Sequence, residues 1–231
     1  MHIRYGWRAN LVLAFAAFST FFTCRASAQH GPATHPARTE SSLDIAADPP
    51  VIACFGDSLT AGYGIADRSS SYPADLQRLL DAAGYHYRVV NEGVSGDTTK
   101  DGLERLHRVL AQKPQIVVLE FGGNDGLRGI PVEAAQRNLA TMIEDIQRSG
   151  AKVALAGISL PAQYGSDYIA RFNRMYPELA HQFHVPLLPF ILQDVYGVQG
   201  DIQPDGVHPT AQGAKQVAAN VEKLIRPMLK K

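Results

Sequence analysis

The stretch that most restricts the fold is Ile116-Val117-Val118-Leu119, an unbroken apolar run rich in β-branched residues. A strand with one face in water alternates apolar and polar residues. A run without alternation marks a strand buried on both faces, typically a central parallel strand covered by helices. The flanking sequence supplies such helices. Tyr72 to Ala83 carries Leu76, Leu79 and Leu80 at helical spacing, with Pro73 in its first turn and Gly84 just past its end. A helix starting at Thr98 or Thr99 aligns Leu103, Leu106, Val109 and Leu110 and closes before Pro114. Another has Pro131 in its first turn, turns Leu139, Met142, Ile143 and Ile146 inward and stops at Gly150. Asp167 to Phe183 reads as the next helix, and Pro209 opens a final one reaching Leu229.

Between these helices lie further strands at Val51–Phe55, Tyr87–Val90, Lys152–Ile158 and the short Val185–Leu188. Strands alternating with helices of about 12 to 18 residues form βαβ units. The predicted fold is therefore α/β, with a mainly parallel five-stranded sheet between two helical layers. Right-handed crossovers put the carboxyl ends of all strands on one side. Residues that follow different strands must converge there, in the region where open α/β sheets bind ligands.

Those positions carry chemistry. Gly56-Asp57-Ser58 follows the first strand, and Asn91 to Thr98, with Gly93 and Gly96, follows the second. Glu120-Phe121-Gly122-Gly123-Asn124-Asp125-Gly126 follows the third, and Asp205-Gly206-Val207-His208 precedes the last helix. A hydroxyl, an amide, free backbone N–H groups and an Asp-x-x-His pair are the parts acyl transfer needs: nucleophile, oxyanion donors, base and an orienter for the base. Asp205 can accept from His208 Nδ1 and so fix the tautomer whose Nε2 takes the Ser58 proton. Each part also has a plainer reading. Asp57 and Ser58 are good cap residues, Asp205 can cap the last helix, and Gly96 and the Gly-Gly-Asn-Asp-Gly run make turns. Asp97 and Asp125 read as local caps.

Composition narrows the class. The chain has 231 residues with 22 basic and 22 acidic side chains, enough for one large core. Zero formal net charge argues against nucleic acid as the main partner. Arg4 and Arg8, an apolar segment from Asn10 to Cys24, and Ala26-Ser27-Ala28 form a leader pattern, so residues 1–28 are expected to be removed. The apolar segment of about 15 residues is short of the ~20 that a membrane-spanning helix needs. Residues 29–50, rich in Pro, Ala, Ser and Thr, read as a flexible linker, and 51–231 as the catalytic domain. Cleavage would leave Cys54 without a partner, a small buried hydrophobe rather than a nucleophile.

Taken in order, Gly56-Asp57-Ser58-Leu59, the Gly96 turn, Gly122-Gly123-Asn124-Asp125 and Asp205-x-x-His208 resemble the blocks of the SGNH hydrolases, the GDSL lipases and esterases. The likeness runs from Val51 to Leu229. Gly122–Gly129, Leu160–Gly165 and Val185–Phe190 are most similar to the periplasmic thioesterase, lysophospholipase and arylesterase group of that family. The resemblance implies a flavodoxin-like three-layer fold and a serine hydrolase of esters and thioesters needing no metal or organic cofactor. It implies Ser58 as nucleophile, His208 as base and Asp205 as its orienter. The Ser58 and Gly96 N–H groups and the Asn124 side chain would form the oxyanion hole. Leu127, Ile130, Pro161 and Tyr164 would contact the acyl chain. Glu92 stands where a small residue is expected and is expected to alter the pocket rim. The substrate would be a small or lipid-like acyl ester or thioester, and the protein a periplasmic or secreted monomer or small homo-oligomer without a membrane span.

Ser58 does not lie in a Gly-x-Ser-x-Gly elbow, which disfavours the α/β-hydrolase fold. Three rivals remain: a carbohydrate O-acetyl esterase, a non-catalytic binding module, and a metal-dependent phosphoesterase using Asp57, Asn124, Asp205 and His208.

Overall fold

A computed structural model describes residues 48–231. The expected leader and almost all of the expected linker lie outside the described residues. The apolar runs form strands β1 (Val51–Gly56), β2 (Arg88–Gly93), β3 (Ile116–Glu120), β4 (Lys152–Ala156) and β5 (Leu187–Leu188). They make one sheet in the order β2-β1-β3-β4-β5, with every pair parallel. This is the doubly wound order, with its switch point between β1 and β3. β1 and β3 are buried along their whole length, as an unbroken apolar run requires.

The helices are α1 (Ser58–Ala61), α2 (Tyr72–Ala82), α3 (Thr99–Leu110), α4 (Gly123–Leu127), α5 (Val132–Arg148), α6 (Ser166–Phe183) and α7 (Ala211–Ile225). α2 packs on α7, while α3 packs on α5 and α5 on α6, giving the two outer layers. The core faces are those with helical spacing: Leu76 and Leu80 of α2, and Leu139, Met142, Ile143 and Ile146 of α5, are fully buried. Leu79 lies off the buried face of α2 and is exposed.

Four boundaries differ from expectation. β2 continues through Asn91, Glu92 and Gly93, because an edge strand pairs through its backbone and needs no apolar side chains there. β4 stops at Ala156, opposite Glu120 where β3 itself ends, and β5 is reduced to two residues. α7 begins at Ala211, capped by the Thr210 hydroxyl, and ends at Ile225 before a single 3-10 turn, Arg226–Met228. α1 (Ser-Leu-Thr-Ala) and α4 (Gly-Asn-Asp-Gly-Leu) are single turns too short to show a helical period. Both sit at the switch point, directly after β1 and β3.

Candidate active site

β1 delivers the chain to the sheet edge at Gly56. A Cβ there would sit 2.4 Å from Glu120 Oε2 and 2.7 Å from the Glu120 carbonyl, so only glycine lets β1 and β3 approach this closely. Asp57 then caps α1, its Oδ1 accepting the Leu59 N–H at 3.1 Å. This turn presents Ser58, half-buried, at the mouth of a cavity.

The second arm comes from the loop before α7. Asp205 Oδ1 accepts the N–H groups of Val207 and His208 at 2.9 and 3.0 Å. Its Oδ2 accepts from His208 Nδ1 at 2.7 Å. A carboxylate only accepts, so Nδ1 carries the proton and Nε2 has a free lone pair. That atom lies 2.8 Å from Ser58 Oγ and accepts the hydroxyl proton. Burial works against the Asp205 charge, but the bonds from His208 and Val207 outweigh it and hold the carboxyl below its usual range. The Tyr63 ring covers His208 at a centroid distance of 4.6 Å. Gln203 Nε2 donates to the carbonyls of Tyr63 and Pro209, both at 2.8 Å, tying the serine arm to the histidine arm.

The third arm joins the loops after β2 and β3. Asn124 Nδ2 donates to Asp57 Oδ2 at 3.1 Å and to the Asp97 carbonyl at 3.0 Å. Gly96 has φ +89, a left-handed conformation suited to glycine, and its carbonyl accepts from Arg128 Nη2 at 2.7 Å. Among the described residues, neither the Ser58 nor the Gly96 N–H donates to a protein acceptor. Ser58, Gly96, Asn124 and His208 thus share one cavity wall, with two unused N–H groups beside a hydroxyl aligned on an imidazole. Such an arrangement can deprotonate a hydroxyl and stabilise a developing oxyanion.

The cavity as a whole is about 950 Å³ in volume, and its wall away from Ser58 and His208 is mainly apolar. Leu127 and Pro161 line it, together with Ile158, Leu160, Pro189, Phe190 and Leu192. Ile130 and Tyr164 do not. The Ile130 backbone serves Tyr168 Oη and the Asp125 carbonyl, and Tyr164 Oη donates to the Leu127 carbonyl at 3.0 Å. Glu92 does not reach the rim either, because its carboxylate turns outward on the edge strand and accepts from Gln112 Nε2.

Asp97 and Asp125 are structural, though not as local caps. Asp97 pairs with Arg105 Nε at 2.6 Å, and Arg105 also donates to the carbonyls of Gly56 and Glu92. Asp125 reaches from α4 to the start of α3, accepting from the Thr99 N–H at 2.8 Å and Oγ1 at 2.6 Å. Burial raises its carboxyl despite those bonds. Burial lifts Asp57 to about 6, opposed by the Leu59 N–H, by positive charge on His208 once it forms, and by the bond from Asn124. Burial also pushes the Cys54 thiol up to about 12, which leaves it an inert hydrophobe. Among the described residues, no group of three or more His, Cys, Asp or Glu side chains is placed to hold a metal ion. Tyr63, Gln203, Arg105 and Glu120 carried no sequence signal of their own, since each contributes through a contact distant in the chain.

Comparison with known proteins agrees with this geometry. Residues 54–216 match the GDSL-like lipase/acylhydrolase family. Esterase TesA of Pseudomonas aeruginosa is 47% identical over 175 residues, covering 75% of this chain and 87% of that protein. Thioesterase 1/protease 1/lysophospholipase L1 of Escherichia coli is 39% identical over 176 residues, covering 76% and 83%. The crystal structure of TesA superposes with a TM-score of 0.74 at 46% identity, covering 78% of this chain and 99% of that one. The chain belongs to the GDSL-like lipase/acylhydrolase family, the SGNH hydrolases.

Proposed function

We propose that this SGNH hydrolase cleaves carboxylic esters and thioesters through an acyl-enzyme formed on Ser58. The observation that supports it most is the continuous chain Asp205–His208–Ser58, with links of 2.7 and 2.8 Å. Ser58 Oγ attacks the carbonyl carbon while His208 Nε2 takes its proton, and Asp205 stabilises the imidazolium that forms. The oxyanion is met by the Ser58 and Gly96 N–H groups and by Asn124 Nδ2. Because Nδ2 already serves two acceptors, it shares or exchanges one of those bonds as the negative charge develops. His208 then returns the proton to the departing alcohol or thiol. It next activates water, which releases the acid and restores Ser58.

The apolar cavity wall supports an acyl chain or aryl group over a sugar, so arylesterase, thioesterase and lysophospholipase substrates fit better than acetylated carbohydrate. Residues 1–28 serve as a cleaved leader and 29–50 as a linker, placing the enzyme in the periplasm or outside the cell. Among the described residues no helix is long and apolar enough to cross a membrane.

The test is hydrolysis of a short p-nitrophenyl ester by Ser58→Ala, with folding checked by circular dichroism. The serine mechanism predicts loss of turnover in a folded protein, and wild-type-like turnover would sink it.

A further inference from the structure

Glu120, the last residue of β3, is completely buried beneath the Gly56-Asp57-Ser58 turn, in the space that the missing Gly56 side chain leaves. Its Oε2 accepts from the Thr60 hydroxyl at 2.9 Å and from the Asp57 N–H at 3.3 Å. One oxygen atom therefore grips the chain on both sides of Ser58. Oε1 has no hydrogen-bond partner, and no ion pair among the described residues includes Glu120.

We propose that Glu120 is a positioning residue for the reaction: by holding Asp57 and Thr60 it sets the Ser58 hydroxyl and N–H against His208 and Asn124. This rests on the serine mechanism above. The groups facing Glu120 are Asp57 and Thr60 of the turn, Tyr72 of α2 and Tyr176 of α6, none of them a cation. Burial first, and then the Asp57 charge, push its carboxyl well above the ordinary range, so Glu120 keeps its proton while Asp57 carries the charge. Of the two forms the neutral acid costs less here: it leaves one buried O–H at Oε1 without a partner, whereas the ionised form would leave a full charge with only two donors.

The role is geometric and not electrostatic, so a neutral amide of the same shape should replace it. The experiment measures kcat and KM for a p-nitrophenyl ester in Glu120→Ala, Glu120→Gln and Thr60→Val, with thermal melts to verify folding. Glu120→Ala is expected to lower kcat by roughly 10- to 100-fold, the scale of a misplacement near 1 Å, with little change in KM. Thr60→Val, which cuts one of the two grips, should fall between Glu120→Ala and wild type. Glu120→Gln should stay within about threefold of wild type, by the same reasoning that preserved geometry preserves rate. Wild-type kcat in a folded Glu120→Ala or Thr60→Val, or a Glu120→Gln as slow as Glu120→Ala, would overturn the proposal. If Glu120→Ala does not fold, the contrast between Thr60→Val and Glu120→Gln decides. Ser58→Ala, assayed in parallel, separates the two readings, since turnover by that variant overturns the serine mechanism itself.

Discussion

Ser58 stands between two acids in opposite surroundings. On one side Asp205 is partly open to solvent, its side chain 39% exposed, and three hydrogen bonds use both its oxygens. On the other, Glu120 is fully buried, with one oxygen shared between two donors and the other bare. The first environment favours the ionised form and the second the neutral one. A charged acid can stabilise an imidazolium, whereas a neutral acid can only hold a shape. The same functional group thus takes two roles because of what surrounds it.

Removing charge from each side should separate them. Asp205→Asn deletes the charge and disturbs the His208 tautomer, so kcat should fall by up to about 10⁴-fold, as when other triads lose their charged acid. Glu120→Gln deletes a proton-bearing acid and should leave kcat nearly intact. Comparable losses in both would break the distinction. On the oxyanion side, Asn124→Ala should reduce kcat by roughly 10²–10³, the scale for one lost donor. A change confined to KM would make Asn124 a substrate-binding residue instead.

Stability carries the same contrast with pH. The Glu120 carboxyl is raised on folding, so between its unfolded and folded values the native state holds a proton that the unfolded chain has lost. Stability from this group is complete below the unfolded value and is lost as pH rises through the folded one. Asp57, raised to about 6, acts in the same direction between its ordinary value and 6. Asp205, lowered on folding, has the opposite sign and is lost only as pH falls through its folded value. Melting wild type and Glu120→Gln at pH 5 and pH 8 should show the variant gaining relative stability at pH 8. The gain is bounded by about 1.4 kcal/mol per pH unit, and its absence would mean that Glu120 is charged in the fold. The smallest expected effect is at Tyr63. Removing its ring from His208 in Tyr63→Ala should lower kcat/KM by a few-fold, in line with about 0.5–1.5 kcal/mol for a ring pair. A loss of more than about 10²-fold would promote Tyr63 to the reaction itself.

How far these features were legible follows the same division between local and distant contacts. β1 and β3 are written in unbroken apolar runs and the inward faces of α2, α3 and α5 in helical period, and the parallel sheet followed from strands alternating with helices. Ser58, Gly96, Asn124 and the Asp205–His208 pair stood out because each follows a strand or precedes a helix in a polar turn. Glu120 stood in plain view at the end of β3, but its burial depends on Gly56 approaching from another strand. Ile130 and Tyr164 looked well placed, yet neither lines the cavity, the Ile130 carbonyl accepting from Tyr168 and the Tyr164 hydroxyl donating to the Leu127 carbonyl. Glu92 looked intrusive only because the edge position of β2, which lets it turn outward, was not evident.

The most direct test of the central claim is covalent labelling by a fluorophosphonate, read by mass spectrometry on the peptide that contains Ser58. The account predicts one adduct, on Ser58, absent from Ser58→Ala and formed far more slowly in His208→Ala. An adduct on another residue, or undiminished labelling without His208, would contradict it.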